Sequence, residues 1–561
     1  MNAERNSRVA QWIIDTLFDD FEAQFFVAPG ARSSPLVNAL SRRSDICAQI
    51  HFDERSLGFA GLGSALACGK PAVCITTSGT AVANLYPSVI EAHLLEAPLM
   101  VLSADRPGRL RGTGANQTIW QEKIFGRYAR FLNWPAQTDC DGFNLAAVQA
   151  GCASLMHWPT TPFHLNMEFD EPLLGQDVGG DSMIMPGSHS AVDPPPYFEA
   201  GEDVARLWRT SEHAEGWLVV GGLTPTQQRD WLPAFMALAE CLDWPVFCDV
   251  TSGWRPYDFR QNIHHYDLTL RRPDAPRPKI VWHIGERLVS KRLLSVLQAV
   301  PSGTVQHISR SNQPLMSYSR DPVVWPIDMK ELIPPKAPQN RSADWLSYWR
   351  QQSDVQKGLV EKALPAWSEM TACYWLGKQL GAINNCNILI GNSMPIRHLD
   401  SVLGSGVGTK NSWLANRGAS GIDGNLSTLC GACLANRQPG IALLGDLTLL
   451  HDINAFALGR SCKHLVIVVL NNSGGQIFRL LNLPVAEPDL RKFWATEHAW
   501  QFQGVAKMFG WNHDVVESME QFKHAWDAAL SKEGHYLIEA SLTQDSVQEW
   551  SKAFQKLQKD L

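Results

Sequence analysis

The chain has 561 residues, a length that at roughly 150 residues per domain implies about three or four domains rather than one core. Hydrophobic residues make up 45% and charged ones 19%, which supplies several buried cores and excludes disorder over most of the length. Forty-nine Lys and Arg against 56 Asp and Glu give a net charge of −7, which argues against nucleic acid as a partner.

In chain order, Val9, Trp12, Ile13, Leu17 and Phe21 fall on one face of a helix, and the residues before them lack the apolar core of a signal peptide. Gln24 to Ala28 reads as a buried strand stopped by Pro29-Gly30. A small-residue helix (Leu57 to Cys68), a strand (Ala72 to Thr76), a helix (about Thr80 to Leu95) and a strand (Leu99 to Ala104) follow. Short apolar strands separated by helices imply βαβ units and a parallel sheet. Between about Gly175 and Glu202 the composition turns to Gly and Pro, as in an exposed linker.

A second block places strands at Trp217 to Val220, Pro245 to Asp249 and Ile280 to Ile284, and ends at the Pro-rich stretch Ile333 to Pro338. Its basic run Arg271, Arg272, Arg277 and Lys279 reads as a solvated loop. The third block starts near Ser342, with strands at Asn387 to Ile390, Ile441 to Leu444, Leu465 to Leu470 and Tyr536 to Ala540. Trp550, Phe554, Leu557 and Leu561 then recur at helical spacing, a face that should dock on a surface. The expected fold class is α/β, with three doubly wound parallel-sheet domains at 1–180, 205–335 and 342–561.

No apolar run approaches the roughly 18–20 residues that cross a bilayer, so no membrane partner is expected. The twelve Cys follow no framework spacing and many sit in apolar runs, as reduced thiols of a cytoplasmic protein do. Cys430-Gly-Ala-Cys433 lacks a second pair or a His at zinc spacing and reads as small residues in a packed helix.

The chemistry concentrates in the third block. The strand Ile441 to Leu444 runs into Gly445-Asp446-Leu447-Thr448, and the next strand ends in Asn471-Asn472-Ser473-Gly474-Gly475. In a right-handed βαβ unit both turns emerge at the carboxyl ends of parallel strands, so Asp446 and Asn472 should converge. A carboxylate, an amide oxygen and a nearby backbone carbonyl are too few for a calcium cage. They suit Mg²⁺ completing its octahedron with phosphate oxygens and water. Amides of the Gly-rich turns would hold the phosphates. Separately, Gly-Asp and Asn-Asn-Ser-Gly-Gly are common turns.

Together they resemble the Gly-Asp-Gly…Asn-Asn signature of thiamin diphosphate enzymes, with Leu447 where the third residue is usually Gly. The first block adds His51-Phe52-Asp53-Glu54-Arg55, the run from Ala28 to Leu36, the run from Thr77 to Pro87 and Gly114-Ala115-Asn116-Gln117. With Gly391-Asn392-Ser393, Ser412 to Gly424, Gly474 to Phe478 and Ser290 to Leu294, the chain closely resembles one family. That family is the 2-succinyl-5-enolpyruvyl-6-hydroxy-3-cyclohexene-1-carboxylate synthases of menaquinone biosynthesis.

The resemblance implies the thiamin diphosphate-binding, pyruvate decarboxylase-like fold and condensation of 2-oxoglutarate with isochorismate, releasing CO₂. It makes Glu54 the carboxyl partner of the aminopyrimidine, and Asp446, Asn472 and Gly474 the ligands of Mg²⁺ or Mn²⁺. Ile422 would be the apolar residue that bends the cofactor. Ser393, Gly445, Leu447, Thr448, Gly475 and Gln476 would contact it. Arg32, Arg106, Gln117, Lys291, Arg292, Ser393, Arg397, Arg417 and Phe478 would bind the substrates, both of them dicarboxylates suited to Arg. The resemblance further implies a homodimer or homotetramer whose sites lie at subunit interfaces. Another carboligase or decarboxylase of this fold, such as an acetolactate synthase, would need fewer Arg. A non-catalytic thiamin diphosphate binder would be expected to lack Glu54.

Overall fold

The computed structural model describes residues 2–138, 142–156, 160–175, 201–212, 215–309, 322–334, 343–406, 410–481 and 483–559. Most of the expected linker between Gly175 and Glu202, most of the Pro-rich stretch after Ile333, and Leu561 lie outside the described residues. Among the described residues seventeen strands form three sheets, and every neighbouring pair is parallel. Runs such as Ala72–Thr76 and Leu465–Asn471 are buried at every position, as strands covered on both faces must be.

The first sheet holds β1 (Gln24–Val27), β2 (Gln49–Ile50), β3 (Ala72–Thr76), β4 (Leu99–Asp105), β5 (Arg130–Trp134) and β6 (Phe163–Glu168) in the order β2-β1-β3-β4-β6-β5. The middle sheet holds β7 (Gly216–Val220), β8 (Val246–Cys248), β9 (Ile280–Ile284), β10 (Val305–Ile308) and β11 (Val323–Trp325), ordered β11-β10-β9-β7-β8. The third holds β12 (Asn387–Ile390), β13 (Ser412–Leu414), β14 (Gly440–Gly445), β15 (Leu465–Asn471), β16 (Asn512–Val516) and β17 (His535–Ser541), ordered β13-β12-β14-β15-β17-β16. The first and third sheets therefore share one strand order. Each has a switch point, beside β1 and β3 and beside β12 and β14, where open parallel sheets bind ligands at their carboxyl ends.

The middle sheet has the corresponding switch between β7 and β9, but there the crevice is closed. A Cβ on Gly221 would lie 2.1 Å from the Glu286 carbonyl oxygen. The two strand-end turns exchange backbone hydrogen bonds, Glu286 N–H to the Gly222 carbonyl at 3.0 Å and Gly222 N–H to the Arg287 carbonyl at 3.1 Å.

The chain divides into two compact units, one of Met1–Tyr197 with Cys430–Asn436, the other of Phe198–Leu429 with Arg437–Leu561. The expected second and third blocks, each with its own sheet, lie within the same compact unit. Within it, Arg255 is fully buried, 4.5 Å above the Tyr266 ring and 3.6 Å from Asp400. Its guanidinium donates to the carbonyl oxygens of Cys248, Asp400 and Leu403. The Gln228 amide pairs with the backbone of Trp413 in both directions, at 2.8 and 3.0 Å, and so extends the edge of β13.

The helix expected over Thr80 to Leu95 is two helices, Thr80–Asn84 and Tyr86–Leu94, because Pro87 starts a new first turn. The terminal helix Ser546–Lys559 docks as expected, with Trp550 and Phe554 buried against Leu268, Leu359 and Val360. Cys430 and Cys433 are buried on the helix Asn425–Asn436. Among the described residues no helix is long and apolar enough to cross a membrane.

Replacing Arg255 by Met strips three buried carbonyl oxygens of their donor and leaves Asp400 without its cation. Denaturant unfolding of the second unit should show a loss of roughly 3–5 kcal/mol. A loss under about 1 kcal/mol would mean that water replaces the guanidinium.

Candidate functional site

The turn after β14 begins with Asp446, the first residue of the helix Asp446–His451, and its carboxylate is buried. One oxygen accepts the N–H of Leu447 at 2.6 Å, the other the N–H of Gly474 at 2.7 Å. The turns of β14 and β15 are thereby joined, and Asp446 and Asn472 converge as the spacing predicts. Gly474 has φ 131°, and a Cβ there would sit 2.5 Å from the Ala495 carbonyl oxygen, so no side chain fits. His498 brings Nε2 to 3.1 Å from Asp446 Oδ2 and stacks on Trp500, a neighbour the sequence reading missed.

Asn472 is buried and donates its amide N–H to Glu369, which turns the amide oxygen away from that carboxylate. Gln476, also buried, donates to the Asn472 carbonyl oxygen at 3.3 Å. The Asp446 carboxylate, Asn472 amide oxygen and Gly474 carbonyl would offer oxygen donors only, a chemistry that fits Mg²⁺ or Mn²⁺. No cluster of three His, Cys, Asp or Glu that would favour a different metal occurs among the described residues.

Beside it, the turn after β12 is held by Asn392, which donates to the carbonyl oxygens of Asn416 and Gly421, each at 2.7 Å. Arg417 donates to the Asn392 amide oxygen at 3.2 Å. Ser393 has φ 71° and ψ −124°, a costly conformation for a residue with a side chain, at the start of the helix Met394–Val402. One turn on, Arg397 donates to the Ser393 carbonyl oxygen. Burial, with Arg417 nearby, lowers the Arg397 guanidinium below the usual arginine range. Neither Arg has a carboxylate partner among the described residues. Two such guanidiniums side by side attract an anion. Arg287 reaches from the middle sheet to the carbonyl oxygens of Arg417 (2.8 Å) and Gly418. Ile422 is 36% exposed on the same loop, an apolar side chain with no complete cover.

Arg397 shares a recess of about 380 Å³ with Lys291 and Arg292. Arg292 is ion-paired to Asp267, whereas Lys291 has no carboxylate partner among the described residues. Arg271 corrects the expected solvated loop: it lines this recess, half-buried, with its guanidinium 5.1 Å from the Phe554 ring centre. The terminal helix covers Arg271 alone, a contact that nothing in the local sequence announced, while Arg277 and Lys279 are exposed as expected. Arg272 pairs with Asp274, as a solvated residue would. Phe478 is half-buried on the short helix Gln476–Leu480.

In the first unit, Arg32, Glu54, Ser78 and Arg106 follow β1, β2, β3 and β4 at the carboxyl edge of the sheet. Asp53 caps the helix Glu54–Cys68, so Glu54 is not needed as a cap. Glu54 is half-buried and accepts from Asn84 at 3.4 Å. Arg106 donates to the Ser78 hydroxyl at 2.5 Å and to the Gln117 carbonyl oxygen at 2.7 Å; Gln117 donates back to the Ser78 carbonyl at 3.0 Å. Burial and the nearby Arg32 lower Arg106 below the usual range. Arg32 is already engaged, with the Phe169 carbonyl and the Glu171 carboxylate, each at 3.0 Å.

Residues 7–124 match the family described as thiamine pyrophosphate enzyme, N-terminal TPP binding domain. Residues 200–385 match its middle domain, and 404–540 its C-terminal TPP binding domain. A solved structure described as a candidate thiamin diphosphate-dependent enzyme from Mycobacterium smegmatis superposes with TM-score 0.70 at 15% identity, over 95% of this chain and 99% of the other. That likeness shows the fold, and with the domain matches defines a thiamin diphosphate-dependent enzyme. A curated relative from Shewanella halifaxensis, 2-succinyl-5-enolpyruvyl-6-hydroxy-3-cyclohexene-1-carboxylate synthase, is 34% identical over 93% of both chains. One of the same name from Aeromonas salmonicida is 34% identical over 90% of this chain and 89% of its own. The chain belongs to this synthase family.

A dicarboxylate should bind the unpaired guanidiniums even without cofactor. Succinate should raise the melting midpoint of the wild-type chain and leave that of Arg397→Ala nearly unmoved. Equal shifts in both proteins would remove Arg397 from the anion site.

Proposed function

We propose that the protein decarboxylates 2-oxoglutarate and adds the remaining succinyl group to isochorismate. The products would be 2-succinyl-5-enolpyruvyl-6-hydroxy-3-cyclohexene-1-carboxylate and CO₂, in menaquinone biosynthesis. The observation that carries this reading is the pair Arg397 and Arg417, free of carboxylate partners among the described residues, beside the oxygen-rich turns of β14 and β15. Both substrates are dicarboxylates, and permanently charged, planar donors are what they require. An acetolactate synthase-like enzyme, acting on pyruvate-sized groups, would leave this cationic surface without a role.

Bound thiamin diphosphate would supply a carbanion at its thiazolium C2 and a sink for the electrons released with CO₂. Asp446, Asn472 and the Gly474 carbonyl would hold Mg²⁺ or Mn²⁺ on its diphosphate, with Ser393, Gly445, Leu447, Thr448, Gly475 and Gln476 around it. Glu54 would hold a proton against the aminopyrimidine ring, and Ile422 would press on the cofactor from its apolar side. Arg397 and Arg417, with Lys291 and Arg292, would fix the substrate carboxylates; Arg32, Arg106, Gln117 and Phe478 would complete the substrate surface. Orientation and charge compensation are the protein's main contributions to such a reaction.

We assign the three functional blocks to 1–180, 205–335 and 342–561. The active assembly is proposed as a homodimer or homotetramer, with Glu54 and Asp446 of different protomers serving one cofactor. The buried thiols among the described residues suit a reducing cytoplasm.

With Mg²⁺, thiamin diphosphate, 2-oxoglutarate and isochorismate, the enzyme should release CO₂ and form the adduct; turnover of pyruvate instead would reverse the choice. Glu54→Gln should lose orders of magnitude in turnover while keeping most cofactor affinity, and near wild-type turnover would sink the role given to Glu54. Asp446→Ala should abolish Mg²⁺-dependent cofactor binding, measured by tryptophan fluorescence, while the chain stays folded. Retained affinity would contradict the metal assignment.

A further inference from the structure

We propose that Glu369 is a positioning residue that fixes which atom of the Asn472 amide faces the metal. The inference rests on the reading above that Asn472 supplies an oxygen to a divalent cation.

The two ends of a carboxamide have nearly the same size and shape, so packing alone cannot choose between them. Only the hydrogen-bonding neighbours can. An ionised carboxylate has no proton to give, so a carboxylate touching the amide must take its NH₂ end and send the oxygen the other way. Glu369 is that carboxylate: one of its oxygens accepts from Asn472. It is only 1% exposed, deep enough that an unpartnered charge would be costly, and its remaining contacts satisfy it. The Ser546 hydroxyl lies 3.3 Å from the same oxygen, and His398 Nε2 lies 3.0 Å from the other. Glu369 also opens the helix Glu369–Leu380, where the exposed N–H groups and helix dipole favour an anion.

The residue therefore joins three elements at one point: the turn after β15, the helix Met394–Val402 and the terminal helix. His398 lines the recess next to Arg397, so the same carboxylate that sets the amide also braces the helix presenting a substrate Arg. Glu369 itself is not placed against cofactor or substrate. Its effect passes through Asn472.

The test is Mn²⁺ binding to the purified full chain in the presence of thiamin diphosphate, with free Mn²⁺ read by electron paramagnetic resonance. Outer-shell partners of metal ligands typically contribute about 10–100-fold in affinity, and Glu369→Ala should weaken Mn²⁺ by that factor. The apo-protein's melting midpoint and far-ultraviolet circular dichroism identify a folded variant. A folded Glu369→Ala protein with unchanged Mn²⁺ affinity overturns the proposal.

Where that variant does not fold, a donor–acceptor exchange decides. Asn472→Asp alone sets two carboxylates against each other and should bind Mn²⁺ poorly. Adding Glu369→Gln lets the new amide donate to the carboxylate introduced by the first substitution, and should restore at least about tenfold of the lost affinity. If the second substitution leaves the first unimproved, the proposal fails. If the wild-type chain takes up no Mn²⁺ with thiamin diphosphate present, the metal reading beneath the proposal falls, and the proposal with it.

Discussion

One hydrogen bond organises the third sheet's functional edge: the Gly474 N–H on Asp446 Oδ2. It joins the ends of two adjacent parallel strands, and it does so only because Gly474 takes a backbone conformation that no other residue could occupy against the Ala495 carbonyl. Once the turns are joined, the Asp446 carboxylate, the Asn472 amide and the Gly474 carbonyl lie on neighbouring turns. Asn392 performs the matching task on the next strand over, tying the turn of β12 to the loop of Arg417 and Ile422. The site is thus built at strand ends, where backbone groups are free to bind, and is made rigid by side chains that hydrogen-bond both to backbone and to one another.

The charge arrangement follows from that rigidity. Arg397 and Arg417 keep their positions by donating to a carbonyl and an amide, not to carboxylates. Their charges stay uncompensated, and the cost of holding them together is what an anionic substrate would relieve. Arg292 and Arg32, each with a carboxylate partner, are less available for that purpose.

Central strands were legible in the sequence because they are apolar on both faces; β3, β9 and β12 fall at the expected residues. The strands that escaped notice are mostly at sheet edges, such as β5 and β16, where half the side chains face water and no apolar run forms. β6 is central yet was missed, since His164, Asn166 and Glu168 interrupt it. Each of the three is hydrogen-bonded inside, by Ser103, Gln121 or Arg111, partners far away in the chain. The Asp446 and Asn472 turns were readable from local spacing. Glu369 and Arg271 were not, because their roles depend on which helices pack beside them.

The closed crevice of the middle sheet has a consequence for heredity. Gly221 leaves no room for even a methyl group, and the turn it touches carries Arg287, whose guanidinium steadies the Arg417 loop. Alleles altering that glycine would therefore strain the middle sheet's own turn first and, through Arg287, the Arg417 loop of the third sheet as well, so one lesion would be felt in two sheets.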